Sequence, residues 1–304
     1  MTTFIDEVIA DLLSKHAHNL VNTVIVLPSK RAGAFFNKRL RAHLEGSFTF
    51  LPQTLSIEDF IEDVSGLTAV SPTQLQVELY QIYLRECTET EPDNFLNFLG
   101  WAQALIGDFN EIDRHLISPE SFFDYLSAVK ELNQWSAEQP TALISNYLKF
   151  WRSVKLYYTA FTAHLKDKGI GYQGMLYRES VSQINSYLEN AKSTYIFCGF
   201  NALNRAEQYL IRSFLERPDT HIYWDLDPYF TEDQTHITSR FISQYLREWS
   251  ELKAKSTVFP KSGSNFNTPK NIIATGIAQN IGQVKYVGQI LERFTAEDLN
   301  DTAI

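Results

Sequence analysis

The chain has 304 residues, 44% of them hydrophobic, so it can form one large domain or two around a packed core. Its formal net charge of −9 excludes binding of nucleic acid through a globally positive surface, and any such contact needs a local basic patch. Its two cysteines, Cys87 and Cys198, are too few for a disulfide framework or a cysteine-based zinc site. The N-terminus lacks the basic segment of a signal peptide, and no apolar run approaches the ~18 residues of a membrane span. We therefore expect a cytoplasmic protein.

The first 70 residues alternate between helical and extended patterns. Residues 4–20 carry apolar side chains at helical spacing, and the apolar run VIVL at 24–27 predicts a buried strand. Helical spacing returns over 31–44. The segment LPQTLSIEDF then predicts a short extended stretch and a helix that begins at Ser56. This order of elements is typical of a parallel α/β sheet.

The pattern changes from about residue 71, where strand signals disappear for more than a hundred residues. Leu, Phe, Trp and Tyr recur at helical spacing in four segments, which we predict to be helices: 72–88, 93–116, 119–135 and 140–167. We interpret residues 71–189 as an all-helical domain inserted into an α/β domain.

The α/β pattern then resumes. Strands are predicted over 193–200, 220–227 and 271–277, and helices over 201–217, 234–253 and 279–293. We assign residues 1–70 and 190–275 to one discontinuous α/β domain, and 276–304 to the start of a following domain. The last residues, DTAI, are typical of the entry to a strand, so we expect the following domain to be truncated.

Basic residues are concentrated directly after the first predicted strand. Ser29, Lys30 and Arg31 lie between that strand and the next helix, a position where backbone N–H groups favour anions. A solvated helix face explains the later Lys38, Arg39 and Arg41 well. It explains Lys30 and Arg31 less well, because two cations at a helix N-terminus oppose the helix dipole unless an anion compensates them. Contact with an anion or nucleic acid and a solvated turn both remain open.

Motifs for bound nucleotide or metal are weak. A P-loop needs a Gly-Lys dipeptide, and the chain contains none. The segment GIGYQG at 169–174 matches a dinucleotide fingerprint in letters, but a helix precedes it, so Gly169 is better explained as a helix C-cap. Asp225 and Asp227 lie at the C-terminal end of the strand predicted over 220–227, where strand alternation places both carboxylates on one face. They could hold Mg²⁺ or cap the turn before Pro228. We expect no cofactor.

Several segments, taken in order, resemble the N-terminal part of AddB-like proteins. These are helicase-like nuclease subunits of AddAB complexes, related to the PD-(D/E)XK nuclease superfamily, and RecC has a similar layout. The resemblance is carried by VIVLPSKRAGAFFNKRL, FLPQTLSIEDFI, DFNEIDRHLI, YIFCGFNALNRAEQYLI, HIYWDLDPYF and GQVKYVGQIL. It implies a degenerate superfamily 1 helicase-like fold, in which a RecA/P-loop-like parallel sheet is interrupted by an all-helical domain.

The resemblance also implies where DNA would bind. It assigns contacts with single-stranded DNA to residues of three segments: Ser29, Lys30, Arg31, Gln53, Thr54, Phe200 and Asn201. Active helicases carry an acidic pair for magnesium and water activation where this chain has Cys198 and Gly199, so ATP hydrolysis is not expected.

The resulting expectation is a non-catalytic helicase-like domain that guides single-stranded DNA during repair of double-strand breaks. The implied partners are single-stranded DNA, bound weakly by this chain alone, an AddA-like helicase–nuclease subunit and the C-terminal nuclease region of the same parent protein. That parent would be an ATP-dependent exonuclease subunit. Two alternatives remain, a protein-interaction scaffold without DNA contact and a metal- or nucleotide-dependent enzyme that uses Asp225 and Asp227.

Overall fold

A computed structural model gives the fold as two compact units, Met1–Asn265 and Phe266–Ile304. The structure describes residues 3–44, 50–87, 91–134, 142–227, 229–230, 237–253, 266–300 and 302. Within these residues, no helix combines the length and the apolar character that crossing a membrane requires.

Parallel strands form the centre of the first unit. The strands in the described residues are β1 (Thr23–Leu27), β2 (Gln53–Ser56), β3 (Thr68–Ala69), β4 (Ile170–Gly171), β5 (Thr194–Cys198) and β6 (Thr220–Tyr223). Four of them make one parallel sheet in the order β2-β1-β5-β6, and β3 pairs with β4 separately. Ile25 lies opposite Thr54 on one side and Ile196 on the other. The predicted α/β class with a parallel sheet is therefore confirmed.

Helices account for most of the remaining chain. In the described residues they are α1 (Phe4–His16), α2 (Lys30–His43), α3 (Ile57–Ser65), α4 (Pro72–Glu86), α5 (Phe95–Arg114), α6 (Pro119–Gln134), α7 (Ala142–Asp167), α8 (Gln173–Asn190), α9 (Arg205–Leu215), α10 (Arg240–Glu248), α11 (Ser250–Lys253), α12 (Asn280–Leu291) and α13 (Ala296–Asn300). Eight begin at a side chain that accepts a hydrogen bond from the backbone N–H three residues later: Thr3, Ser29, Ser56, Ser71, Asn94, Ser118, Asn204 and Thr295. Each such cap stabilises its helix by about 1 kcal/mol.

The two faces of the four-stranded sheet are covered by different helices. Alternate residues of β1 point to opposite faces, so Ile25 packs with α1 and α2 while Val26 packs in a larger core that includes α3, α8 and α9. β1 and β5 are buried along their whole length. Burial on both faces explains why both strands are continuous apolar runs.

A buried carboxylate joins three helices of the first unit. Asp113, on α5, is fully buried and accepts hydrogen bonds from Tyr158 on α7 (2.5 Å), from Tyr172 and from Arg178 on α8 (2.5 Å). A buried charge is tolerated only when it is paired and hydrogen-bonded, and this group meets both conditions. Asp113 therefore connects α5, α7 and α8.

Several predicted elements differ from the structure. Residues 271–277 form no strand, and no strand among the described residues pairs with them. Ile272 and Ile273 in this segment are exposed. Trp249 separates α10 from α11, where one helix was predicted over 234–253, and residues 231–236 lie outside the described residues. The helix α8 and the two-residue strand β4 were not predicted individually. Gly169, at φ +67°, follows the end of α7, consistent with the interpretation as a C-cap.

Candidate nucleic-acid interface

The candidate site is the carboxyl edge of the sheet, defined as the edge where β2, β1, β5 and β6 end. The chain goes from β1 to β2 on one side and returns through later helices to β5 on the other side of β1. This reversal makes a switch point between β1 and β5, where open α/β sheets usually bind ligands. The turn at Ser29 and the loop that begins at Gly199 lie there. The Ser29 hydroxyl oxygen accepts a hydrogen bond from the backbone N–H of Ala32 (3.2 Å), which fixes the start of α2.

Lys30 has an anionic partner within the protein. Its ammonium nitrogen lies 2.8 Å from the carboxylate of Asp59, in the first turn of α3. The hydroxyl of Ser56 also donates a hydrogen bond to Asp59 (2.8 Å). The hydrogen bond with Lys30 lowers the pKa of Asp59 and raises the pKa of Lys30. Asp59 therefore supplies an anion that compensates Lys30, one of the two cations at the N-terminus of α2.

Arg31 is an exposed cation at this edge that lacks such compensation. It forms no ion pair or hydrogen bond with another described residue. Asn201 is exposed in the loop after β5 and likewise makes no hydrogen bond within the described part of the chain. A guanidinium and an amide next to a helix N-terminus are suitable groups for a phosphate.

The structure does not bring Gln53 and Thr54 to this edge. They lie opposite Val24 and Ile25, so they belong to the first half of β2, and only Ser56 reaches the carboxyl edge. The Thr54 hydroxyl donates a hydrogen bond to Asn37 on α2 (3.0 Å). The contact of Gln53 and Thr54 with DNA stays a prediction, and the register of β2 places both residues away from the turn at Ser29.

Phe200 cannot serve as a stacking platform. It is only 6% exposed and belongs to the larger core, with its ring centroid 6.4 Å from that of Phe197. Stacking of a nucleobase requires an accessible ring face. The expectation for Phe200 is therefore corrected, and its burial explains the apolar side chain at this position.

The resemblance places the helicase acidic pair at Cys198 and Gly199, and neither residue carries a carboxylate. Cys198 is fully buried, and burial together with the nearby Asp225 raises the pKa of its thiol to about 12. Gly199, at φ +77°, donates a backbone hydrogen bond to the carbonyl of Tyr223 (3.0 Å). A protonated thiol and a glycine provide no oxygen ligand for Mg²⁺, which prefers carboxylates.

Asp227 caps a turn. Its carboxylate accepts a hydrogen bond from the backbone N–H of Tyr229 (2.9 Å). Of the two interpretations of Asp225 and Asp227, a magnesium site and a turn cap, this hydrogen bond is the one expected of a turn cap. β6 ends at Tyr223, so strand alternation does not align Asp227 with Asp225. Desolvation and the charge of Asp227 raise the pKa of Asp225. The described residues contain no cluster of three His, Cys, Asp or Glu side chains placed to share a metal ion.

A polar cleft of about 550 Å³ lies beside the carboxyl edge, and sequence reasoning missed it. Arg114 is its central cation: it donates a hydrogen bond to Gln173 (2.5 Å) and lies 5.7 Å from the ring of Tyr177. Tyr177 donates to Glu207 (2.9 Å), and desolvation raises the pKa of Glu207. Other lining residues are Ile57, Glu58, Glu111, His115, Ala202, Leu203 and Asn204.

The polar groups of this cleft largely satisfy one another. Gln173 also donates to Glu58 (3.0 Å), and Glu207 completes a capping box with Asn204 at the start of α9. Of the contacts in this cleft, only the capping box of Asn204 and Glu207 has a local pattern in the sequence. The other contacts join side chains from helices far apart along the chain. The cleft therefore has a structural explanation.

No protein-family model and no curated protein sequence matches this chain. The function proposed below therefore rests on the residues and charges of the carboxyl edge, together with the resemblance stated in the sequence analysis.

Proposed function

We propose that this chain is a non-catalytic, helicase-like domain that holds single-stranded DNA at the carboxyl edge of its parallel sheet during processing of double-strand breaks. The observation that carries the proposal is the position of Arg31. It is exposed, has no partner among the described residues and lies in the first turn of α2, beside the β1–β5 switch point. Single-stranded binding proteins use such cations to contact the phosphate backbone.

The order of elements supports the finer fold proposal, a RecA-like sheet with a helical insertion. The helices α4 to α8 lie in sequence between β2 and β5, while β1 lies between those two strands in the sheet. A long helical segment between strands of one parallel sheet is the arrangement that the resemblance to AddB-like proteins implies.

Two features support a binding role without ATP hydrolysis. The chain has no Gly-Lys dipeptide and hence no P-loop that could place a lysine on the β- and γ-phosphates. Cys198 and Gly199 replace the pair of acids that would hold magnesium and orient water. The proposed partners, an AddA-like helicase–nuclease subunit and a C-terminal nuclease region of the same exonuclease subunit, follow from the resemblance.

A second candidate function is a protein-interaction scaffold without DNA contact. The ion pair of Lys30 with Asp59 favours it, because the chain itself neutralises one of the two cations at this edge. The net charge of −9 also opposes approach of a polyanion.

Fluorescence anisotropy of a labelled single-stranded oligonucleotide at about 50 mM salt tests the proposal. The wild type is compared with Arg31→Glu and with the control Lys192→Glu, an exposed lysine that precedes β5 at the opposite edge of the sheet. Both substitutions change the charge equally, and a glutamate in the first turn of α2 suits the helix dipole, so folding is preserved. Loss of affinity in Arg31→Glu alone supports DNA at this edge. Equal affinities in both variants, or no binding by folded wild type, favour the scaffold.

A further inference from the structure

The helix α2 is unusually basic for this protein. Its sequence KRAGAFFNKRLRAH contains five of the chain's 27 lysines and arginines and no acidic residue, although the whole chain has a net charge of −9. Surfaces that only need to be soluble usually mix both signs of charge. A helix whose charged residues are all cations, in an acidic chain, is therefore a candidate for contact with an anion.

The cations of α2 share its outward side. Arg31, Phe35 and Lys38 are spaced by four and three residues, so they lie on one face, and Arg41 borders that face one turn further on. The distance along the helix from Arg31 to Arg41 is about 15 Å at 1.5 Å per residue. The opposite side of α2 is buried against the sheet through Gly33, Phe36 and Leu40.

Three cations of this face have no partner among the described residues, namely Arg31, Lys38 and Arg41, and all three are exposed. Arg39 lies beside them, with its Nε 3.8 Å from the Oδ1 of Asp6. The guanidinium carbon of Arg39 lies 5.5 Å from the ring centre of Phe35. Phe35 itself is 44% exposed. Proteins that bind single-stranded nucleic acids often combine an exposed aromatic ring with neighbouring cations. The ring stacks with a base, and the cations contact phosphates.

We infer that the outward face of α2, from Arg31 through Phe35 and Lys38 to Arg41, binds the backbone of single-stranded DNA that leaves the turn after β1. Phe35 takes the stacking role that the buried Phe200 cannot perform. The inference rests on the proposed function and extends it from a contact at one turn to a path about 15 Å long. An acidic protein segment is the competing occupant, but Phe35 and the continuity with Arg31 favour DNA.

Salt dependence of the affinity tests the path. Lys38→Gln/Arg41→Gln removes two cations without adding repulsion, and Lys192→Gln/Arg240→Gln is the matched control, with two exposed cations away from α2. For single strands, each lost phosphate contact reduces the slope of log K against log salt by about 0.7. The α2 variant should therefore lose about 1.4 from the slope and bind at least about tenfold more weakly at low salt. The control should match the wild type.

Phe35→Ala provides a second readout. Loss of a stacking contact should weaken binding of the oligonucleotide by about five- to a hundredfold and leave the salt slope unchanged. Circular dichroism and the thermal midpoint verify that each variant is folded.

The outcomes separate this inference from the proposed function. If Arg31→Glu loses affinity but the Lys38/Arg41 variant keeps the affinity and slope of the wild type, DNA binds at the turn and the path along α2 is wrong. If neither variant loses affinity, both proposals fail. If polyglutamate of equal charge competes as well as the oligonucleotide does, the face accepts an acidic protein and its assignment to DNA is overturned.

Discussion

Lys30 and Asp59 form an ion pair of 2.8 Å between the first turn of α2 and the first turn of α3. Because α2 follows β1 and α3 follows β2, this pair connects the two helix starts at the carboxyl edge, on the β2 side of the switch point. It also places a carboxylate where the proposed DNA backbone would pass. Under the proposed function, Asp59 would compete with DNA phosphates for the ammonium of Lys30.

Removal of this competitor should strengthen DNA binding. In Asp59→Asn the ammonium of Lys30 loses its carboxylate partner, and we expect single-stranded oligonucleotides to bind several-fold more tightly at low salt. The cost in stability should be at most about 1 kcal/mol, because exposed ion pairs contribute little and Ser56 still caps α3. Asp124→Asn is the control, since it removes the carboxylate from the exposed pair with Lys155 (2.7 Å). Equal affinity changes in the two variants would contradict a local role of Asp59.

Asp113 should be the most sensitive polar position of the helical region. Asp113→Asn leaves the guanidinium of Arg178 without its buried counter-charge, so the free energy of unfolding should fall by about 3–5 kcal/mol. Tyr158→Phe removes a single donor from the same carboxylate and should cost about 1–2 kcal/mol. Urea unfolding of the three proteins measures both values. A loss below about 1 kcal/mol for Asp113→Asn would show that the hydrogen bonds of Asp113 do not hold the three helices together.

Two glycines should respond to alanine in opposite directions. A Cβ at Gly174 would lie 2.1 Å from the backbone oxygen of Asn110, so Gly174→Ala must push α8 away from α5 and destabilise the protein. Gly107, on α5, has no other atom within 4 Å of its Cβ position. Gly107→Ala should therefore stabilise the protein by about 0.5–1 kcal/mol through helix propensity. Thermal melting of both variants measures the difference, and a stable Gly174→Ala would contradict the close contact.

The stability of the first unit should decrease in acid partly through Glu78. This carboxylate is 10% exposed and contacts the ammonium of Lys168 and the imidazole of His164 at 2.7 Å each. Its hydrogen bonds with Lys168 and His164 lower its pKa below the ordinary value of 4.5. A lowered pKa means that the stabilisation is present above pH 4.5 and is lost as the pH falls through the pKa of the folded state.

Urea unfolding between about pH 7 and pH 3 measures this contribution. The wild type should lose more free energy of unfolding over this range than Glu78→Gln, which should already be less stable at pH 7. Parallel curves for the two proteins would show that Glu78 contributes nothing to acid sensitivity.

Elements with strong local signals were predictable from the sequence. The buried strands β1 and β5 are continuous apolar runs, and the helix after β2 begins at Ser56 as expected. The residues 271–277 are equally apolar but form no strand, because a strand also requires a neighbour, and that neighbour is not encoded locally.

The candidate site was less predictable because it depends on contacts between distant segments. The sequence indicated that cations at the start of α2 need an anion, but only the adjacency of β1 and β2 identifies it as Asp59. Phe200 was expected to contact DNA, whereas its side chain is buried in the core. The network of Arg114 and Glu207 likewise depends on tertiary packing.

The strand order β2-β1-β5-β6 has a consequence for how the chain folds. β1 can pair with β2 as soon as the first segment of the chain is available, but its other neighbour arrives only after the whole helical segment. Such non-local pairing slows folding, and until β5 arrives the apolar β1 has an open edge. During synthesis, the helices therefore need to fold before the sheet can close, and variants that delay them should accumulate as aggregates rather than as folded protein with altered DNA binding.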